Sequence, residues 1–286
     1  MRERLRLAIP NKGRLLESTL ALLKDAGLVF EAHDRSLVSR VDNHPLDILF
    51  VRTNDVVEFV ADGVADAGIT GGDILAESGV PLPRLRDLGY GRCRLTAAVP
   101  ADAPYDAITD LNGVRVATSH PNVTRAFFAD QGIPVDVITL SGAVEVAPRL
   151  GLADAIVDLV STGSTLVMNG LRQIGDVLAS EAVLIANPNA DRERAAELAA
   201  IDTMLSAVIA ARGRKYLMMN APSSKLPELE RLLPALESPT IIPLAHTGMI
   251  AIHSVVGADE VWGLLPRLKT AGASGILVLP IEKIVP

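Results

Sequence analysis

Residues Glu145–Leu166 read EVAPRLGLADAIVDLVSTGSTL. Within them Ala153–Leu159 is a short apolar run of the length and composition of a buried strand. A helical pattern over Ala143–Leu150 precedes it, and the polar string Ser161-Thr162-Gly163-Ser164-Thr165 follows it into a second helix, Ser164–Asn169. Helix, buried strand, polar loop and helix in succession predict an α/β fold with a largely parallel sheet. The polar loop offers free backbone N–H groups at a helix start, several hydroxyls and one glycine for close approach, features that hold a phosphate monoester. The same string also reads as a Ser/Thr cap on a helix that follows a strand. The Gly-Lys-Ser/Thr ending of a Walker-type loop is missing. Asp158, at the strand end, stands where a carboxylate can accept hydrogen bonds from sugar hydroxyls. Asp154 shares its side of the strand, because the spacing is four.

Outward from this stretch the alternation continues in both directions. Strands are predicted at Leu5–Ile9, Asp47–Val51, Ala65–Thr70, Arg94–Val99, Val114–Thr118, Val135–Leu140 and Ala182–Ala186, with helices at Arg14–Ala26, Asp55–Ala61 and Thr124–Gln131. The segment near Gly89–Arg94, where LGYGR is rich in turn residues, marks a crossover into a second lobe, and the chain returns around Leu178–Pro188. Expected lobe I is therefore 1–90 plus 178–211, the latter holding a long helix Asp191–Ala211, and lobe II is 91–177. From 212 to 286 the order becomes β-α-β-β-α-β, that of a ferredoxin-like domain. Its strands are Lys215–Asn220, Thr240–Leu244, Met249–Val256 and Gly275–Pro280. Ser223 or Ser224 caps its first helix, through Leu233; its second is Asp259–Ala271, with Trp262 in the core.

Composition narrows the function. The chain has 286 residues, a formal net charge of −7 and one cysteine, Cys93. The acidic balance argues against a nucleic-acid partner but leaves room for an anionic small molecule held by backbone amides. A single cysteine forms no intramolecular disulfide or cysteine-built metal site, and Cys93 reads as a packed strand residue. No apolar run approaches the roughly 18 residues of a membrane span, nor the pattern of a signal peptide, so a soluble cytoplasmic protein is expected. His33, His44, His120, His246 and His253 show no metal-ligand spacing, and His120 is given no role.

Several stretches together resemble the ATP phosphoribosyltransferase family, which opens histidine biosynthesis. They are AIPNKGRL at Ala8–Leu15, DAGITGGD at Asp66–Asp73, LGYGRCRL at Leu88–Leu95, ATSHPNVT at Ala117–Thr124, the Asp158–Thr165 loop and NGL at Asn169–Leu171. The resemblance spans the chain and includes the tail of the family's long form. It implies two α/β lobes like those of a periplasmic-type binding protein, with the site between them, and an ACT-type ferredoxin-like regulatory domain. It implies transfer of phosphoribosyl from phosphoribosyl diphosphate to N1 of ATP, with Mg2+ as cofactor. The rival reading is a two-lobed ligand-binding protein without catalysis.

By the same resemblance Ser161, Thr162, Gly163, Ser164 and Thr165 hold the sugar 5-phosphate. Asp158 and Asp154 take the ribose hydroxyls, or the metal through water, and Glu145 supports the loop. Lys12, Gly13 and Arg14 form a basic turn for the nucleotide phosphates. Gly71, Gly72 and Asp73 face ATP, as do Arg92 and Arg94 beside Tyr90. Asp158, Lys12 and Arg92 are the expected catalytic residues, and no direct metal ligand is assigned. Ser119, Asn122 and Thr124 close the site from lobe II or cap a helix. In the tail, Asn220, Ser238 and Thr240 are candidate contacts for histidine as an allosteric inhibitor. The family's assembly, from dimer to hexamer, implies a homo-oligomer, without nucleic-acid or membrane partners.

Overall fold

A computed structural model describes residues 4–32, 36–160, 163–233 and 238–285. The chain forms two compact units, Met1–Asp202 and Thr203–Pro286. In the first unit the chain opens with β1 (Leu5–Pro10), α1 (Leu16–Asp25), β2 (Val38–Arg40), β3 (Leu46–Val51), α2 (Asp55–Ala61), β4 (Ala67–Gly71), α3 (Gly72–Ser78) and β5 (Arg84–Asp87). It then crosses into a second sheet through β6 (Cys93–Pro100), β7 (Arg115–Thr118), α4 (Pro121–Asp130), β8 (Asp136–Thr139), β9 (Ala155–Val160), α5 (Ser164–Met168) and β10 (Leu171–Ser180). It returns in β11 (Ala182–Ala186), followed by α6 (Arg192–Ala211), which runs on into the second unit.

The lobe I sheet has the order β2-β3-β1-β4-β11-β5, and the lobe II sheet β10-β6-β9-β7-β8. The parallel pairs are β1 with β3 and β4 in lobe I, and β7 with β8 and β9 in lobe II. Strands next to the crossovers, β6, β10 and β11, are antiparallel, so each sheet is mixed rather than largely parallel. All five residues of β4 and of β11 are buried, which is why these strands read as unbroken apolar runs. At Gly68 the backbone of β4 meets α2 directly: a Cβ there would lie 2.6 Å from Val56 Cγ1 and 2.9 Å from Val60 Cγ2. The lobe II core gathers Leu95, Val99, Leu111, Val116 and Val157 around Phe128.

Three local expectations are corrected. The helix Ala143–Leu150 is only a 3-10 turn, Val144–Val146, because Ala143 takes a left-handed φ of 50° and Pro148 cannot donate to a continuing helix. Strand β10 extends lobe II to Ser180, three residues past the expected lobe boundary at 177 though within the expected return, and was hidden by polar residues and two register shifts. Helix α3 was hidden because its start, Gly71-Gly72-Asp73, has turn composition.

The second unit carries β12 (Arg214–Pro222), α7 (Leu226–Glu230), β13 (Thr240–Pro243), β14 (Met249–Gly257), α8 (Val261–Thr270) and β15 (Ser274–Pro280). Its sheet order β13-β14-β12-β15, all antiparallel, is the ferredoxin-like arrangement. Leu217, Met219 and Ala221 alternate onto a core completed by Leu229, Leu264 and Leu268 from the helices. Trp262 is not in that core but 91% exposed. Val261, Leu264, Leu265 and Leu268 form the inward stripe of α8, and Trp262 stands one residue off it. Ser223 and Ser224 lie in a 3-10 turn that leads into α7, with no side-chain cap.

Candidate active site

The site is built where the two lobes of the first unit meet. β4 ends at Gly71, and Gly72 N–H donates to Glu181 O (2.9 Å), tying the start of α3 to the returning chain. Asp73 is thereby brought against Ser180, whose hydroxyl donates to Asp73 Oδ1 (2.7 Å) and accepts from the Asp73 amide (2.8 Å). Asp73 Oδ2 faces His120 Nε2 at 3.6 Å and Arg14 Nη2 at 3.8 Å. Burial pushes the Asp73 carboxyl up, but His120, Ser180 and the Arg14 charge outweigh it and hold it below its ordinary value. Because Asp73 is only 1% exposed, its carboxylate does not stand open to a ligand as the ATP contact expected of it.

Lys12, Gly13 and Arg14 form an exposed turn between β1 and α1. Arg14 Nη2 also donates to Cys93 Sγ at 3.0 Å, which places the basic turn beside the crossover. Arg92 lies 3.7 Å from Glu181, and Arg94 pairs with Asp176 at 3.0 Å. Both arginines line a cavity of about 510 Å³ with Arg84, Cys93, Val160 and Ser180. Glu181 also lines it, and its buried Oε2 makes no hydrogen bond. Arg84 and Glu181 are cavity residues with no local signal in the sequence: Arg84 is one of several charges in Arg84–Asp87, and Glu181 is a lone charge between the end of β10 and the apolar β11.

From lobe II, β9 carries Asp158 toward the same junction. Burial raises the Asp158 carboxyl and the Glu145 charge adds to that, while the Leu159 amide (2.8 Å) and His120 oppose it. Gly163 has a φ of +77°, a conformation that glycine adopts without strain, and it precedes α5. Ser164 and Thr165 open α5 and are exposed; Ser161 and Thr162 lie outside the described residues.

Asp154 does not join this group. It precedes β9 at the strand's other end, about 13 Å from Asp158 by strand rise, and its carboxylate is bound by Arg115 at 3.0 and 3.2 Å. The Arg115 hydrogen bonds hold it below the ordinary carboxylate range. Spacing along one strand face kept Asp154 in view, but the site uses only the C-terminal end of the strand. Ser119, Asn122 and Thr124 serve the start of α4. Ser119 Oγ lies 3.0 Å from His120 Nδ1, Thr124 Oγ1 bonds Thr118 Oγ1 (3.3 Å), and Asn122 bonds Glu77.

The raised carboxyl has a consequence for stability. The folded state holds the Asp158 proton more tightly than the unfolded chain, so the ionised form costs stability above the folded value, and that cost disappears below the unfolded value. Asp158→Asn is therefore expected to raise the melting temperature at pH 7, with the gain fading as pH falls through the carboxylate range. Thermal melts of both proteins across pH 4–8 check this.

The comparisons with known proteins agree with one another. The family model described as ATP phosphoribosyltransferase matches residues 52–208, and the model described as HisG, C-terminal domain, matches 211–283. An ATP phosphoribosyltransferase from Gemmatimonas aurantiaca is 47% identical, over 99% of this chain and 100% of its own. One from Methanosarcina acetivorans is 43% identical over 99% and 100%. The fold is similar to a chain of the ATP phosphoribosyl transferase (HisG:HisZ) complex from Thermotoga maritima, with a TM-score of 0.62 and 32% identity. That match covers 72% of this chain and 98% of the Thermotoga chain.

Proposed function

The chain belongs to the ATP phosphoribosyltransferase family, and we propose that it transfers phosphoribosyl from phosphoribosyl diphosphate to N1 of ATP, giving phosphoribosyl-ATP and pyrophosphate, the first step of histidine biosynthesis. The observation that carries this reading is the convergence of Asp158, at the end of β9, with the Arg14–Asp73–His120 group of the lobe junction.

Adenine N1 has a free lone pair and attacks C1 of the sugar as the bond from C1 to the diphosphate oxygen breaks. No strong base is needed, so the residues position groups and manage charge. Ser161, Thr162, Gly163, Ser164 and Thr165 hold the 5-phosphate, and Glu145 supports their loop. Asp158 accepts from the ribose hydroxyls and steadies positive charge developing at the sugar. Lys12 and Arg14, with Arg92 and Arg94 at the neighbouring cavity, take the phosphates of ATP and the departing pyrophosphate; Lys12 and Arg92 act at the reacting phosphates. Gly72 lets the start of α3 lie against Ser180 and Glu181, Gly71 leaves room for the Asp73 carboxylate, and Gly13 takes the left-handed φ of 85° in the basic turn for the ATP phosphates.

Among the described residues no three His, Cys, Asp or Glu side chains are grouped to hold a metal ion. We infer Mg2+ carried by the substrate phosphates, because the Glu145 and Asp158 charges repel each other and a cation on the diphosphate would relieve that repulsion. When bound, Mg2+ neutralises the leaving group's charge. Since ATP and phosphoribosyl diphosphate are intracellular metabolites, the cytoplasm is the proposed compartment. Among the described residues no helix is long and apolar enough to cross a membrane.

Histidine is the proposed inhibitor, bound by the second unit, and the chain is proposed to assemble as a homo-oligomer, from dimer to hexamer. Thr240 pairs with His253 across β13 and β14, and Asn220 pairs with Ala251 across β12 and β14. His253 and Ala251 are two apart on one strand, so Asn220 and Thr240 share a sheet face, opposite the face of Leu217, Met219 and Ala221. Ser238 lies two residues before β13. Asn220→Ala is expected to raise the histidine concentration for half-inhibition about tenfold, leaving uninhibited turnover unchanged. The deciding experiment incubates the protein with ATP, phosphoribosyl diphosphate and Mg2+, with and without histidine. Formation of an N1-phosphoribosyl adenylate is the expected result, and its absence from folded protein overturns the reading.

A further inference from the structure

His120 lies at the centre of the junction, and the reaction as described gives it no task. It is 5% exposed and is the last residue before α4, so it belongs to lobe II. Its backbone amide donates to Thr118 Oγ1 at 2.9 Å, which fixes the turn that aims the ring. Ser119 Oγ lies 3.0 Å from Nδ1, and Nε2 is buried without a hydrogen bond. When the Ser119 hydroxyl donates to Nδ1, the neutral ring carries its proton on Nε2. That proton points toward Asp73 Oδ2, 3.6 Å away on lobe I.

Asp73 has its other oxygen and its amide engaged by Ser180, so Oδ2 is the atom that answers to both His120 and Arg14. Of the three, Arg14 is the exposed one, with 40% of its side chain open to solvent. His120 Nε2 is buried without a partner and lies just beyond bonding distance of Asp73 Oδ2, so an approach of less than an ångström satisfies it. A second contact holds the same two elements together. The Glu77 carboxylate, on α3, accepts the Asn122 and Val123 amides at 3.0 Å each, at the head of α4. Asn122 Nδ2 returns a bond to Glu77 O at 2.9 Å. With α3 and α4 tied together in this way, His120 is held a short step from Asp73.

We propose that His120 is a positioning residue for the transfer reaction: through the Asp73 carboxylate it sets the place of the Arg14 guanidinium, so that a lobe II side chain helps to place the cation that meets ATP. This rests on the reading of Arg14 as an ATP contact.

Steady-state kinetics of the full chain test it, with Arg14→Ala measured alongside. His120→Phe is expected to raise the KM for ATP roughly tenfold while the KM for phosphoribosyl diphosphate stays within about twofold. His120→Gln, whose amide nitrogen reaches as far as Nε2, restores most of the loss, and His120→Asn, which is too short, does not. Added to Asp73→Asn, His120→Phe has no further effect, since both act through one contact. If His120→Phe does not fold, the Gln–Asn comparison carries the test, read as the KM for ATP against the KM for phosphoribosyl diphosphate. Additive effects or no rescue by Gln overturn the inference. A raised KM for ATP in Arg14→Ala with none in His120→Phe overturns it too, but leaves the ATP reading intact. An unchanged KM in both overturns the two together.

Discussion

Asp158→Ala lowers kcat/KM for phosphoribosyl diphosphate by about two to three orders of magnitude, while the KM for ATP moves less than about threefold. The asymmetry follows from where the carboxylate stands. Asp158 is half-buried at the end of β9, beyond Val157 in the lobe II sheet and close to the phosphate loop, so its reach is to the sugar. Arg14 and Arg92, the proposed ATP contacts, hang from other elements and keep their partners Cys93 and Glu181 when Asp158 is removed. Burial and Glu145 already make the ionised form of Asp158 costly to the fold, and a charge kept at such a cost is characteristic of a reacting centre. Initial-rate measurements with each substrate varied in turn decide it. A loss confined to ATP would reassign the residue.

Phe128→Ala destabilises the first unit by about 3–5 kcal/mol. Phe128 is 1% exposed and the largest fully buried side chain, packed edge-to-face on Phe127 at a centroid distance of 5.5 Å. The strands it supports, β6, β7 and β9, are rigid and cannot collapse into the space it leaves. The second unit has its own core, so the loss is expected to be local. Amide exchange is the measurement: protection should fall in β6, β7 and β9 and persist in β12 and β14. Equal loss in both units would show that they unfold together.

Much of this architecture was legible because strands buried on both faces announce themselves as apolar runs. Strand β11 was read to the residue, and α2 likewise. What escaped had a physical reason in each case. Strand β10 mixes Arg172, Gln173 and Asp176 into its length because one side faces water and register shifts break its alternation. Trp262 was placed inside by its chemistry, although the stripe of α8 excludes it by geometry. In the site, loop residues were visible from their composition, whereas contacts between lobes were not. Nothing local to His120 marks it, since its partner Asp73 comes from α3 in the other lobe, and a one-dimensional pattern does not show which buried polar side chains meet. Asp154 shows the reverse: a correct face, at the wrong end of the strand.

The position of β11 has a further consequence, in time rather than space. It fills the gap between β4 and β5, yet it is made only after the whole of lobe II. At roughly 5–20 residues per second on a ribosome, β4 therefore waits several seconds with an open edge. Lobe II is one continuous segment and can close as soon as β10 emerges. The lobe begun first is thus the lobe finished second, and a chain halted before Ala182 would display an apolar strand edge to every other nascent chain nearby.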